Sequence, residues 1–221
     1  MKNFFLFPLL LICFYAQALN DAERHLLKDL GFDKALIEEL KSFLDEPFYR
    51  YQSTPGTANP YSLDFRPQKD FSAGLCFNLS TRKAIECIEK FHGVFKDKGY
   101  LLFISQRNHG FRPDQITVIK STDQFDIVRI QKTAGNQYTN TNTEVIRQLQ
   151  EWHQNNPFQI IGANFNWIEA RFFKAPEKTN ILAEEIYRIC PDVVDINKSS
   201  LENLEKVLNE NLTLYLWWNR L

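Results

Sequence analysis

Four residues in this sequence have side chains whose type and spacing could support catalysis. Glu169 follows Trp167 by two positions, and a carboxylate beside an indole can acquire the raised pKa that a general acid needs. Asp192 and Asp195 stand three positions apart and could share a proton or hold a cation. His109 lies in a polar loop, where a general base would be accessible. We take these four as candidate catalytic residues.

Each candidate also has a structural interpretation. Asp192 or Asp195 can cap the helical turn that follows Pro191, and the segment lacks the alternating carboxylates and glycine of a calcium loop. The four histidines are not spaced to share a metal, so no metal site is predicted. The sequence also lacks the G-x-S-x-G, P-loop, G-x-G-x-x-G and H-E-x-x-H motifs. We therefore predict no cofactor.

Aromatic residues near the C-terminus are the candidates for ligand binding, together with one asparagine. They are Asn166, Trp167, Trp217 and Trp218. In a strand that ends the chain, Trp218 faces one side with two leucines, while Tyr215 and Trp217 face the other. One side is expected to be core. The other either lines a groove, since tryptophan combines an apolar body with one N–H donor, or is core as well.

The N-terminus predicts export. Residues 1–3 form a short positive segment, residues 4–15 an apolar one, and residues 16–18 place small residues where signal peptidase reads. The apolar run is shorter than the roughly 20 residues of a membrane-spanning helix, although an uncleaved anchor is the alternative. We predict a signal peptide over residues 1–18, a location in the periplasm or outside the cell, and no transmembrane segment after cleavage.

The charge and the cysteine content of the chain narrow the class of protein further. Removing Lys2 with the signal peptide from 26 basic residues leaves 25, against 27 acidic ones. Without a basic stripe, binding to nucleic acid is disfavoured. Cys76, Cys87 and Cys190 would remain, an odd number whose spacing selects no disulfide pair. We expect three buried thiols, because free cysteine behaves as a small hydrophobic residue.

Helix signals and strand patterns alternate along the chain and predict an α+β fold, a mixed sheet covered by helices. Residues 143–218 resemble part of a ferredoxin-like arrangement. Two helices are expected before residue 45, an irregular proline- and aromatic-rich segment over 45–70, and the main domain over 71–221. The predicted helix starts are Asn20 with Glu23, Asp33, Ser80, Thr122, Thr141 with Glu144, Pro176, and Ser199 with Glu202.

Several segments, taken in order, resemble domain-of-unknown-function family 4253. They are Gly99–Phe103, Ile119–Asp126, Ile161–Asn164 with Trp167, Cys190–Asp195, and Leu216–Asn219. The resemblance spans roughly residues 71–221 and leaves out the N-terminal helices. Members of the family usually have Asp after the tryptophan pair, where this chain has Asn219. The family has no established activity, so the resemblance bears on fold and domain limits.

Three functions remain open. The first is a non-enzymatic binding or interaction protein of the bacterial envelope, favoured because the catalytic motifs are absent and aromatics are frequent. The second is an envelope hydrolase that uses the candidate carboxylates, which would have to converge in one pocket. The third is an immunity-type protein that blocks a toxin partner, for which an acidic patch would be diagnostic.

Overall fold

The computed structural model describes residues 18–44, 46–52, 71–135, 140–196 and 198–219. Residues 1–17, and with them nearly all of the predicted signal peptide, lie outside the described residues, as do residues 53–70 of the proline-rich segment. The described ranges form eight helices: α1 (Asp21–Leu30), α2 (Lys34–Lys41), α3 (Thr81–Asp97), α4 (Phe125–Gln131), α5 (Asn142–Asn155), α6 (Thr179–Ile189), α7 (Asp192–Asp195) and α8 (Leu201–Glu210).

The described ranges also contain seven strands, which form a single open sheet. They are β1 (Tyr49–Gln52), β2 (Phe71–Leu79), β3 (Tyr100–Gln106), β4 (Asp114–Lys120), β5 (Phe158–Asn164), β6 (Trp167–Phe172) and β7 (Thr213–Trp217). Their order is β1-β2-β4-β3-β5-β6-β7, and neighbours are antiparallel except for the parallel pair β3–β5. The prediction of an α+β fold with a mixed sheet is confirmed. Residues 143–218 contribute only β5, β6 and β7, so the sheet is larger than the partial ferredoxin-like unit.

The sheet has a hydrophobic core on each face. Strand β3 shows why, because successive side chains point to opposite faces: Leu101 and Phe103 pack with α4, α5, α6 and α8, while Leu102 and Ile104 pack with α1, α2 and α3. We call these the C-terminal core and the N-terminal core. None of the helices in the described ranges is long and apolar enough to cross a bilayer.

The N-terminal helices share the N-terminal core with the sheet. A buried ion pair fixes them: Glu23 of α1 accepts hydrogen bonds from Lys41 Nζ of α2 at 2.8 Å and from the N–H of Phe48 at 2.9 Å. The chain then enters β1, which pairs antiparallel with β2. The expectation that residues 49–52 are irregular was wrong, because Phe48 and Tyr51 are buried and the backbone of Arg50 pairs with that of Leu75.

Most local helix signals act as predicted. Asn20 with Glu23 and Thr141 with Glu144 form complete capping boxes. Three predicted starts were displaced. The segment after Thr122, whose apolar spacing fits neither a helix nor a strand cleanly, is helical as expected, but α4 begins at Phe125 with Gln124 at its N-cap. Helix α6 begins at Thr179 rather than at Pro176, and α8 is capped by Ser200, whose hydroxyl accepts from the N–H of Asn203, rather than by Ser199.

Candidate ligand-binding groove

The site begins where the two parallel strands end. β3 and β5 run side by side, and their chains then leave in opposite directions, into β4 and into β6. Such a switch point at the carboxyl ends of parallel strands is where open α/β sheets bind ligands. Arg107, the first residue after β3, lies at this point.

Arg107 joins the strands on both sides of the switch point. Its guanidinium contacts Glu169 of β6 through Nη2 and Oε2, and its Nη1 lies 3.7 Å from Oδ2 of Asp114, the first residue of β4. Asp114 is fully buried, and its Oδ1 accepts from the N–H of Asn108 at 2.6 Å. Within the part of the chain that the structure describes, Arg107 Nε and Asp114 Oδ2 are buried without a hydrogen-bond partner.

One face of β6 and β7 continues the site. Trp167, Glu169 and Arg171 of β6 lie on the same side as Tyr215 and Trp217 of β7, because Trp167 pairs with Trp217 and Glu169 with Tyr215. Trp167 is buried, whereas the other four are only half-buried. The residues between them on the opposite face are fully buried in the C-terminal core. The sheet therefore presents a partly open aromatic and charged surface here.

The ring of Trp167 is seated on Gly162 of β5. A Cβ atom at Gly162 would lie 2.9 Å from the indole and 3.0 Å from the carbonyl oxygen of Ile104. Only glycine leaves room for both the ring and the neighbouring strand. The indole also stacks near Tyr215, with ring centroids 6.5 Å apart and an angle of 19° between the planes.

Helix α3 forms a wall beside this surface. Glu89 of α3 lies 3.5 Å from Arg171 of β6 in an ion pair, and both residues line a cavity of about 360 Å³ between the helix and the sheet. His92, Gln159 and the largely exposed Phe173 also line it. We call the surface defined by α3, the open face of β6–β7 and Arg107 the α3–β6 groove.

Two groups in the groove have perturbed acidity. Burial lowers the pKa of His92, and the nearby charge of Lys96 lowers it further, while a hydrogen bond to the carbonyl of Ile160 opposes the change. Gln159 Nε2 contacts Nδ1 of His92, which suits a neutral imidazole with its proton on Nε2. Burial raises the pKa of Tyr215, the charge of Glu169 adds to that rise, and Arg107 opposes it.

Three of the residues singled out in the sequence meet in the groove. Glu169, Trp167 and Trp217 lie on one face of β6–β7. Strand alternation had predicted that Trp167 and Glu169 share one face of their strand, and that Trp217 and Tyr215 share one face of theirs. Trp218 lies on the other face, in the C-terminal core, where its Nε1 donates to the carbonyl of Ile189 at 3.1 Å. Asn166 closes the β5–β6 turn and donates through Nδ2 to the carbonyl of Trp218 at 3.2 Å.

The other candidates lie elsewhere. Asp192 accepts from the N–H of Asn219 at 2.7 Å, and Asp195 accepts from the hydroxyl of Tyr187 at 3.1 Å. Both belong to α7, which packs on the C-terminal core, on the side of the sheet opposite to Glu169. His109 is exposed in the loop between β3 and β4 and has a left-handed backbone with φ of 50°. The structure therefore does not bring the candidate acids and base together.

Sequence reasoning missed Arg107 and His92 as members of this site, whereas it had placed Tyr215 with Trp217 on one face of the last strand. The available signal for Arg107 was its position directly after a strand, at the start of a polar loop. Its partner Glu169 is 62 positions away, so that contact depends on strand order.

Cys76, Cys87 and Cys190 are free and buried, as expected. Burial is the main cause that raises the pKa of each of Cys76, Cys87 and Cys190 to about 12. Thiols with such pKa values are protonated at neutral pH and are poor nucleophiles.

The comparison with known families agrees with the resemblance seen in the sequence. Residues 115–219 match DUF4253, a domain of unknown function. The DUF4253 match runs from β4 to the end of β7 and contains Glu169 and the aromatic residues of the groove, whereas Arg107 and α3 precede it. No curated protein and no solved structure matches the chain.

Proposed function

We propose that this protein is an exported, non-enzymatic binding protein that holds its ligand in the α3–β6 groove. One observation carries the proposal: the half-buried side chains of Tyr215 and Trp217 lie on the open face of β6–β7, where Glu169, the strand partner of Tyr215, contacts the guanidinium of Arg107. Partly exposed aromatic rings beside a few polar groups are typical of a ligand-binding site. The adjoining cavity of about 360 Å³ is within the usual range for a small molecule.

Charge narrows the class of ligand. Arg107 is accompanied by two carboxylates, Asp114 and Glu169, so the cluster has an excess of one negative charge. An anionic ligand would be repelled, while the partly exposed guanidinium of Arg107 and carboxylate of Glu169 can bond to the hydroxyl groups of a neutral ligand. The rings of Tyr215 and Trp217 favour a flat apolar face. An uncharged polyhydroxylated molecule such as a saccharide has all three properties.

The contacts of the candidate carboxylates support binding over hydrolysis. Glu169 is engaged in an ion pair with the guanidinium of Arg107, so its carboxylate already has a hydrogen-bond partner within the protein. Asp192 and Asp195 make their contacts on the other side of the sheet. A hydrolase of the envelope would need these groups within reach of one substrate.

Export is proposed from residues 1–18. The predicted cleavage site follows Ala18, which is exposed, and Leu19 is already buried in the N-terminal core. N-terminal sequencing of the protein recovered from a bacterial envelope fraction is expected to start at Leu19. A protein that keeps Met1 would contradict the proposed cleavage.

Ligand binding is best followed by tryptophan fluorescence of the mature chain. Trp217 is the least buried of the four tryptophans, so contact in the groove should change its emission. We would titrate neutral and acidic oligosaccharides, including peptidoglycan fragments, and confirm each response by thermal shift. Neutral sugars are expected to bind and acidic ones to bind more weakly.

Substitutions in the groove test whether the ligand that changes the fluorescence binds there. Tyr215→Ala is expected to weaken binding by about tenfold, and Trp217→Phe to abolish the emission change while the thermal shift remains. Tyr187→Ala makes the same substitution at an exposed tyrosine on α6, outside the groove, and is the control. Equal affinity of Tyr215→Ala and the wild type for a bound sugar would exclude the groove.

A protein partner, as for an immunity-type protein, is the second candidate, and Phe111 favours it. This side chain is 93% exposed on the β3–β4 loop, which is braced by hydrogen bonds from Asn108 to the Asp114 carboxylate and from Gly110 to the Thr81 hydroxyl. A fixed, exposed aromatic is typical of a binding hot spot. Cross-linking in the envelope fraction tests this second function. A protein that is cross-linked to the wild type and to Tyr215→Ala, but not to Phe111→Ala, would support a protein partner over a small ligand in the groove.

A further inference from the structure

The cavity beside α3 contains one polar pair that the sheet holds in register. Gln159 of β5 and Arg171 of β6 are directly opposite each other in the antiparallel pair, so their side chains lie on the same face, about 5 Å apart at Cβ. Both line the cavity of about 360 Å³, and Arg171 also lies 3.5 Å from Glu89 of α3. The cavity therefore has an amide beside a guanidinium whose charge is balanced by a carboxylate.

His92 decides which way the amide of Gln159 faces. The imidazole is buried, and its Nε2 lies 3.3 Å from the carbonyl oxygen of Ile160. A carbonyl oxygen can only accept, so Nε2 of the imidazole carries the proton, and Nδ1 of the neutral ring is an acceptor. Burial lowers the pKa of His92, which keeps the ring neutral at pH 7. The amide nitrogen of Gln159 contacts this Nδ1, and its oxygen, Oε1, consequently points away from the imidazole.

The cavity combines a donor and an acceptor without net charge. Glu89 and Arg171 compensate each other, and the two side chains from the middle of the cavity, His92 and Gln159, are neutral. The guanidinium of Arg171 only donates, whereas Oε1 of Gln159 only accepts. The N–H and the C=O of a secondary amide point in opposite directions. Such an amide can therefore bond to both side chains from a position between them.

Apolar side chains complete the cavity. Buried Ile88 of α3 and Ile161 of β5 line it, together with the largely exposed ring of Phe173. A hydroxyl group can also donate and accept, but it would leave these side chains in contact with water. The methyl group of an acetamido substituent would cover them, which the hydrophobic effect favours.

We propose that Gln159, oriented by His92, selects a saccharide that carries acetamido substituents. The inference rests on the proposed binding of a neutral saccharide in the α3–β6 groove and names the substituent that the groove prefers. On the same face of β6, Arg171 is two positions from Glu169, the strand partner of Tyr215, which is about 6.6 Å along the strand. A sugar ring on Tyr215 is therefore next to the cavity that takes its acetamido group.

Two oligosaccharides that differ only in this substituent test the inference. Chito-oligosaccharides and cello-oligosaccharides of equal length share one backbone and carry either an acetamido group or a hydroxyl at the same position of each ring. In isothermal titration calorimetry, the mature chain should bind the chito-oligosaccharide about tenfold more tightly, because the amide adds hydrogen bonds and a buried methyl group. Equal affinity would refute recognition of the amide and leave the groove as a saccharide site. Binding of neither sugar would overturn the proposed function, and this inference with it.

A substitution at Gln159 locates the preference. Gln159→Leu should reduce the ratio of the two affinities to about one, because leucine has a similar volume but no acceptor. Gln150→Leu makes the same substitution at a half-buried glutamine of α5, which packs on the opposite face of the sheet, and should keep the ratio of the wild type. A ratio in Gln159→Leu as large as that in Gln150→Leu would overturn the role of the amide.

His92 is a positioning residue in this proposal. His92→Leu removes the acceptor that orients the amide and should lower the ratio by about threefold, whereas His92→Asn supplies a carbonyl acceptor and should restore most of it. Identical ratios in the two variants would refute this role, because a residue needed only for packing gives no advantage to asparagine.

Saturation-transfer NMR of the wild type tests the same site without any substitution, should the variants fail to fold. The acetyl methyl protons of a bound chito-oligosaccharide should receive more magnetisation from the protein than its ring protons, because the methyl group enters the cavity. Weaker transfer to the methyl group than to the ring protons would overturn the proposal.

Discussion

At the scale of residues, the strongest constraint in the described structure is the ion pair of Glu23 and Lys41. Both side chains are buried, at 1% and 4% exposure, and the carboxylate also accepts backbone N–H groups of Asn20 and Phe48. Burial by itself would raise the pKa of Glu23, but these hydrogen bonds and the charge of Lys41 outweigh it and lower the pKa. The carboxylate therefore stabilises the fold above its ordinary pKa and loses that effect as the pH falls below it.

Removing this carboxylate should be costly. Glu23→Gln is expected to lower the free energy of unfolding by about 3–5 kcal/mol, because Lys41 is left charged, buried and unpaired. Urea denaturation at pH 7 measures it. Glu38→Gln breaks an exposed pair with Lys34 on α2 and should change the stability by less than about 0.5 kcal/mol. Equal effects of the two variants would contradict the structural role of the buried pair.

His92 predicts a pH dependence. Its pKa is lowered in the folded protein, so the unfolded chain takes up the proton first, and stability falls as the pH drops below the unfolded value of about 6.5. We expect His92→Gln to flatten the decline in unfolding free energy between pH 7.5 and 5. His153, whose pKa is also lowered, retains part of the slope. An unchanged slope in His92→Gln, with exposed His109→Gln as the reference, would refute the assignment.

At the scale of elements, the groove depends on the close approach of β5 and β6. Gly162 leaves room for the Trp167 ring against β5, and Arg171, on the same face of β6, contacts Glu89 of α3. Helix α3 tolerates a glycine, Gly93, at its groove-facing side, where an added Cβ would meet nothing within 4 Å among the described atoms.

These two glycines give a matched pair of substitutions. Gly162→Ala should lower the unfolding free energy by about 1–3 kcal/mol, because the new methyl group overlaps the indole and a backbone carbonyl. Gly93→Ala should raise it by about 0.5–1 kcal/mol, because alanine is the better helix former. Thermal denaturation compares them. A neutral Gly162→Ala would show that Trp167 is not held against β5.

At the scale of the whole molecule, the N-terminal helices and the sheet form one core. Leu27, Ile37 and Phe48 belong to the same buried cluster as Leu75 and Phe77 of β2. The boundary between a segment over 19–70 and a domain over 71–221 was drawn from the sequence pattern. In the structure, side chains from both sides of that boundary pack together in the N-terminal core.

We expect the mature chain, residues 19–221, to unfold in a single transition in calorimetry. Residues 71–221 alone would expose the apolar side chains of β2 and α3 and should bind a hydrophobic dye such as ANS. Two separate transitions of the full chain, or a native near-UV circular dichroism spectrum of residues 71–221 alone, would show independent domains instead.

Local signals were predictable because they depend on neighbours in the sequence. The capping boxes at Asn20 and Thr141, the two faces of β7, the buried cysteines and the α+β class all follow from spacing and side-chain type. Strand β1 was missed because its pairing with β2 overrides the prolines and polar residues around it. The predicted start of α6 was three residues too early, because residues 177–178 after Pro176 form a turn and the helix begins at Thr179.

The sequence by itself determined most of the elements, their amphipathic faces and the resemblance to DUF4253, since these need only short-range periodicity and ordered motifs. Only the tertiary structure decided which faces meet. It paired Arg107 with Glu169 and separated Glu169 from Asp192 and Asp195 by the thickness of the sheet. Those contacts arise from the strand order β1-β2-β4-β3-β5-β6-β7, which no local pattern encodes.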